Sequence, residues 1–138
     1  MTYCDQNGMI TRYGESELVT LTDTSDTGQI DSDALHVALS DASDEIDSYL
    51  AVRHSLPLES TPDILVRLCA DITRYRLYDD RMLDEVESRY KDSIKLLRDI
   101  ARGTAQLPIK ELTSPAGEVA STKTSNDRIF TKESLEGF

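Results

Sequence analysis

Between Ser32 and Arg53 the apolar residues fall at Leu35, Ala38, Leu39, Ala42, Ile46, Tyr49 and Leu50. Steps of three and four put all of them on one face of an α-helix, and the two-residue period of a strand fits none of the run. The spacing then recurs twice. Leu65, Leu68, Cys69, Ile72 and Tyr75 predict a second long helix ending near Tyr78. Leu83, Val86, Tyr90, Ile94, Leu97 and Ala101 predict a third, from near Met82 to Arg102. Three apolar stripes of this kind can be buried together only by packing helix on helix.

The residues between the stripes punctuate them. Asp31 is a good N-cap for the first long helix, and Pro57 ends the segment that leaves it. Thr61, Pro62 and Asp63 read as a cap, a first helical position that needs no amide donor, and an acid at the positive end of the helix dipole. Gly103 is the C-terminal stop of the last helix. Upstream, Asp5 can cap a short helix closed by Gly14, and "ESELVTL" adds one or two turns. The expected fold is all-α: a small antiparallel helical bundle of three long helices plus a short N-terminal helix, over residues 1–103. Residues 104–138 follow as an extended C-terminal arm. With no Trp and 6% aromatic residues the core is thin, which predicts modest stability alone and a gain from assembly.

Charge narrows the function. Residues 1–60 carry twelve acids against Arg12 and Arg53, whereas acids and bases balance over residues 61–103. The net charge of −11 therefore belongs to the first half, and such a field repels nucleic acid. On the first long helix Asp33, Asp41, Asp44 and Asp47 lie opposite the apolar stripe, giving an acidic back that either is simply solvated or is presented to a partner. No apolar run reaches the roughly 20 residues of a membrane span, and the start has no signal-peptide core. Cys4 and Cys69 have no ligand spacing and read as reduced thiols, Cys69 buried in its helix stripe.

Sites of chemistry are scarce. "DTSDTGQIDSDA" approaches a calcium loop, with Asp23 first and Gly28 sixth, but Ala34 stands where a bidentate Glu is needed. A turn leading into an N-cap accounts for the same residues. His36 is expected to be exposed, and His54 to sit at a helix exit, near the negative end of the dipole; neither has an acid or nucleophile at a telling spacing. Neither a metal, a cofactor nor an enzymatic activity is expected.

The stretches "YCDQNGMITRYGESELVTLTD", "IDSDALHVALSDASDEIDSYLAVRHSLPL", "RYKDSIKLLRDIARG" and "RIFTKESLEGF" resemble a family of small proteins of Mu-like phages and prophages, encoded in the head and head–tail morphogenesis region. The resemblance runs in order over nearly the whole chain, and two positions depart from it. Gly8 stands where a capping acid is expected, and His54 where an aromatic such as Tyr is commoner. The family is similar to the helical adaptors of other long-tailed phages. That likeness implies a structural virion protein of the neck: a head–tail connector whose subunits form a ring, twelvefold by analogy with the portal. Such a ring sits under the portal protein, joins the DNA-filled head to the tail, and meets a downstream neck or tail-terminator protein. DNA passes through it without specific binding, and no membrane is involved.

Under this resemblance the C-terminal arm gains a role. "TSPAGEVASTKTSN" is a polar strap, yet Ile129, Phe130, Leu135 and Phe138 follow it, and both phenylalanines of the chain are among them. They are expected to anchor in a groove on an adjacent subunit or on the portal. The acidic face of Asp33, Asp41, Asp44 and Asp47 is expected to contribute a negative surface, with the DNA channel as one location. The competing classes are a small acidic binding protein, such as a DNA mimic or regulator, and a tail-completion protein. The acidic binder explains the charge but gives the arm no task.

Overall fold

The computed structural model describes residues 2–109. Five α-helices follow one another: α1 (Gln6–Tyr13), α2 (Glu15–Thr22), α3 (Ser32–Leu50), α4 (Asp63–Tyr78) and α5 (Asp84–Arg102), with a 3-10 turn at Asp79–Arg81 before the last. No strand occurs among the described residues, and none of their helices is long and apolar enough to cross a membrane. The fold is all-α, as the periodicity predicts. Helices α3, α4 and α5 pack against one another as an up-down-up bundle, and α1 and α2 lie across α3 and α4.

The buried faces are the expected stripes. Leu35, Leu39, Ala42, Ile46 and Leu50 of α3 meet Leu65, Leu68, Cys69 and Ile72 of α4 and Ile94, Leu97 and Ile100 of α5 in one cluster. Tyr3, Cys4, Met9 and Leu18 bring the N-terminal segment into the same core. The cluster also includes Leu107, with Ala105 and Ile109 packed against it, so the packed body continues past Gly103. Gly103 itself has φ +83°, and its amide and that of Thr104 donate to Ile100 and Asp99, which closes the last carbonyls of α5. A Cβ at this position would lie 3.0 Å from the Arg53 guanidinium, a flexible side-chain end that can shift, so the left-handed φ is what favours glycine here.

Several local expectations are corrected. Helix α4 begins one residue later than expected, with Pro62 as N-cap and no side-chain cap from Thr61. Leu83 is half exposed because it precedes α5 as its N-cap and has not yet entered the helical register. Tyr75 and Tyr90 are only partly buried and stack on each other, ring centroids 3.8 Å apart. His54 is buried and neither ring nitrogen finds a hydrogen-bond partner among the described residues, so its ring packs as an aromatic plate instead of serving the helix end. Gly8 lies inside α1 and not at its cap; Asp5 caps, accepting from the Gly8 amide at 2.8 Å. A Cβ on Gly8 would lie 2.8 Å from the Cys4 sulfur, which explains why a poor helix former is tolerated there.

The two eight-residue helices are too short to persist by themselves, and charged groups hold them to the bundle. The Tyr13 hydroxyl donates to Asp71 of α4 at 2.5 Å, and Asp71 is 4% exposed. Arg67 and Arg89 flank that carboxylate at 4.0 and 3.9 Å. From α4, Arg74 grips Glu17 of α2 with Nε at 2.6 Å and Nη2 at 3.3 Å, and its guanidinium lies 4.6 Å from the Tyr13 ring centroid. Gly14, at φ +91°, makes the sharp joint that lets α1 and α2 reach these partners together.

Four tyrosines titrate above their ordinary value. Burial, and then the carboxylate each faces, raises Tyr3 beside Asp47, Tyr13 beside Asp71 and Tyr78 beside Glu17, and pushes Tyr90 beside Glu45 up to about 12. The folded chain holds these phenols neutral, so their contribution is complete below the unfolded value of 10.0 and is lost as pH rises through the folded values. Urea unfolding should therefore show stability falling steadily from about pH 10 upward, with the four phenolates appearing in the ultraviolet spectrum as the fold is lost. Stability unchanged up to about pH 12 would contradict the packing described.

Candidate functional site

Two outward faces carry the surface character of the bundle. On α3 the residues opposite the core are Asp33, Val37, Asp41 and Asp44, all exposed, and the three carboxylates make no ion pair among the described residues. Val37, 59% exposed, supplies an apolar spot between them. Asp47 differs from the other three. It is half-buried and accepts a hydrogen bond from the Tyr3 hydroxyl, so it fastens the N-terminal segment to α3 rather than extending the free acidic face.

The outward face of α5 bears the opposite sign. Lys91, Lys95, Arg98 and Arg102 stand at steps of four, three and four residues, all exposed, and so form one stripe along the C-terminal half of the helix. Lys91 and Lys95 make loose pairs with Glu87 (3.4 Å) and Asp99 (3.3 Å) on the same helix, worth a few tenths of a kcal/mol each, roughly. Arg98 and Arg102 make no ion pair among the described residues. Counting only the apolar positions of this helix passes over the stripe; the i, i+4, i+7, i+11 spacing of the cations is the signal that shows it.

The remaining candidates resolve into structure. Both carboxylate oxygens of Asp23 are used in closing the loop before α3: Oδ1 accepts from the Thr27 amide at 3.0 Å, and Oδ2 from the Gly28 amide at 2.7 Å. These backbone donors, Thr27 first, hold its pKa below the usual range. Thr22 completes the closure by accepting from the Asp31 amide at 3.0 Å. No group of three metal-ligating side chains converges among the described residues. Cys4 and Cys69 are both buried; burial, then the proximity of Cys69, pushes the Cys4 thiol up to about 11, and burial likewise raises Cys69. The Ser43 hydroxyl lies 3.5 Å from the Cys69 sulfur while accepting from the Tyr3 amide at 3.0 Å. His36 is exposed, as expected. The anchors Ile129, Phe130, Leu135 and Phe138 lie outside the described residues.

The division within the acidic set is measurable. Replacing Asp41 or Asp44 by Ala should shift unfolding free energy by no more than about 0.5 kcal/mol. Asp47→Ala strands the Tyr3 hydroxyl and should cost about 1–2 kcal/mol in chemical denaturation. Equal effects at the three positions would refute the distinction.

Comparison with known proteins joins this architecture to a family. The family described as "Bacteriophage Mu, Gp36" matches residues 3–124. The chain is similar to the Mu-like prophage FluMu protein gp36 of Haemophilus influenzae, with 34% identity over 109 residues, covering 79% of this chain and 77% of that protein. It is also similar to Gene product J of Escherichia phage Mu, with 32% identity over 137 residues and 96% of each chain covered. A match that spans the bundle and runs on beyond Gly103 leaves no room for a different assignment: the chain belongs to the bacteriophage Mu Gp36 family.

Proposed function

We propose that this member of the Mu Gp36 family is a structural subunit of the virion neck, a head–tail connector that assembles as a ring beneath the portal protein and joins the filled capsid to the tail. The observation that carries the reading is the family match itself, which continues from the helical bundle into the segment after Gly103, out to residue 124. Bundle and following segment thus belong to one pattern, and a connector has work for both. A ring needs rigid wedges that meet head to tail, and it gains from an arm that crosses to a neighbour.

The bundle suits the wedge. Its short N-terminal helices are held to α4 by the Tyr13–Asp71 and Glu17–Arg74 contacts, so the N-terminal part moves with the rest. In this reading Ile129, Phe130, Leu135 and Phe138 seat in an apolar groove of the adjacent subunit or the portal, where burying a Phe or Leu contributes about 1.5–3 kcal/mol each. The role is mechanical rather than catalytic.

Light scattering coupled to size exclusion tests this directly, using the full chain and a full-length variant with those four anchors changed to Ser, each with and without the portal protein of the same phage. The wild-type chain should form rings or a portal complex, and the variant should stay folded but solitary. A wild-type chain that remains monomeric and ignores the portal would overturn the connector reading and favour the acidic-binder class.

A further inference from the structure

Among the described residues the bundle leaves two helix faces uncovered, of opposite charge and on different sides. Asp33, Asp41 and Asp44 on α3 are exposed and without ion pairs among the described residues, and so are Arg98 and Arg102 on α5. Each charged run covers twelve residues, Asp33 to Asp44 and Lys91 to Arg102, and so rises by roughly 16 Å of helix in both cases. Because α3, α4 and α5 pack mutually, the outward faces of α3 and α5 diverge and cannot meet within one subunit. A second copy can bring them together. Nor is this two-fold pairing: distinct patches on diverging faces make a heterologous contact that repeats from subunit to subunit.

We infer that neighbouring copies of this chain join through the acidic face of α3 on one and the basic stripe of α5 on the next. The inference rests on the ring reading above and specifies its interface. Helices α3 and α5 run in the same direction in an up-down-up bundle, and a modest rotation between ring neighbours keeps them close to parallel across the joint. In the parallel register Asp33 falls opposite Lys91, Asp41 opposite Arg98 and Asp44 opposite Arg102, while Val37 lies under the Lys95 stem. Two arginines and two carboxylates that make no ion pair among the described residues thereby meet. The acidic face is then occupied by protein and does not line the DNA channel. The first-half acidity gains a reason in the same step: like faces repel, which enforces head-to-tail order.

The test is a charge swap in the full-length chain. One variant carries Asp41→Arg and Asp44→Arg, the other Arg98→Asp and Arg102→Asp; all four sites are exposed, and circular dichroism checks that both variants fold. Each variant alone should need at least about tenfold more protein than the wild type to assemble, and an equimolar mixture should assemble again because opposite faces are restored. Wild-type assembly should also weaken as salt is raised. Wild-type rings matched by both variants, or variants that fail alone and are not rescued by mixing, would overturn this interface and leave the connector reading standing. A wild-type chain that never assembles, even with the portal, overturns both. Retention of duplex DNA by the wild type, lost in the Arg98→Asp, Arg102→Asp variant with assembly intact, would assign the stripe to DNA and overturn the inference.

Discussion

A carboxylate at the centre of the packing sets the terms for everything around it. Asp71 sits on the buried side of α4, 4% exposed, and an ion removed from water is costly unless it is met by donors and opposite charge. It is met by the Tyr13 hydroxyl from α1 and flanked by Arg67 of α4 and Arg89 of α5. One side chain thus ties three helices to a common point. One turn further along α4, Arg74 repeats the arrangement with Glu17 of α2, against the Tyr13 ring. These contacts turn two short helices with little stability of their own into part of a single body. Removing one partner would leave the other buried and uncompensated, so the arrangement resists gradual loosening.

Rigidity of that kind is what an assembly subunit needs. If α1 and α2 swung freely, α3 would lose the Tyr3 contacts with Ser43 and Asp47 that cover one flank of it. Held in place, they leave the outward faces of α3 and α5 as the principal charged surfaces of the long helices that no other described residue covers. The same ordering divides the acids of the first half into two kinds. Asp47 and Glu17 are spent on internal contacts, whereas Asp33, Asp41 and Asp44 remain at the surface. Net charge alone does not make that division; the position of the N-terminal segment does.

The helices were legible in the sequence because apolar spacing reports the period of the backbone directly. Leu35 to Leu50 and Leu65 to Ile72 are buried as their spacing requires, and the Asp5, Asp31 and Gly103 signals mark helix ends because each has a local backbone cause. The ionic contacts were not legible. Asp71 and Arg74 lie on a helix face between apolar residues, and charged residues are so seldom buried that the ordinary expectation places both in water. Their partners, Tyr13 and Glu17, are more than fifty residues away, beyond any local rule. His54 escaped for a related reason: a polar letter at a helix exit suggests solvent, while the structure uses its ring for volume. The surface stripe on α5 is a different case, since its spacing is plain once cations are counted by helical face instead of by neighbouring pairs.

Native-state hydrogen exchange on the full chain and on Asp71→Ala tests the claim on which the account stands, that the buried carboxylate makes the N-terminal helices one body with the bundle. In the wild type the amides in the hydrogen-bonded turns of α1 and α2 should exchange only with global unfolding, together with those of α4. In the variant they should open locally while α3 to α5 keep their protection. Fast local exchange of α1 and α2 in the wild type, or no change on removing Asp71, would contradict it.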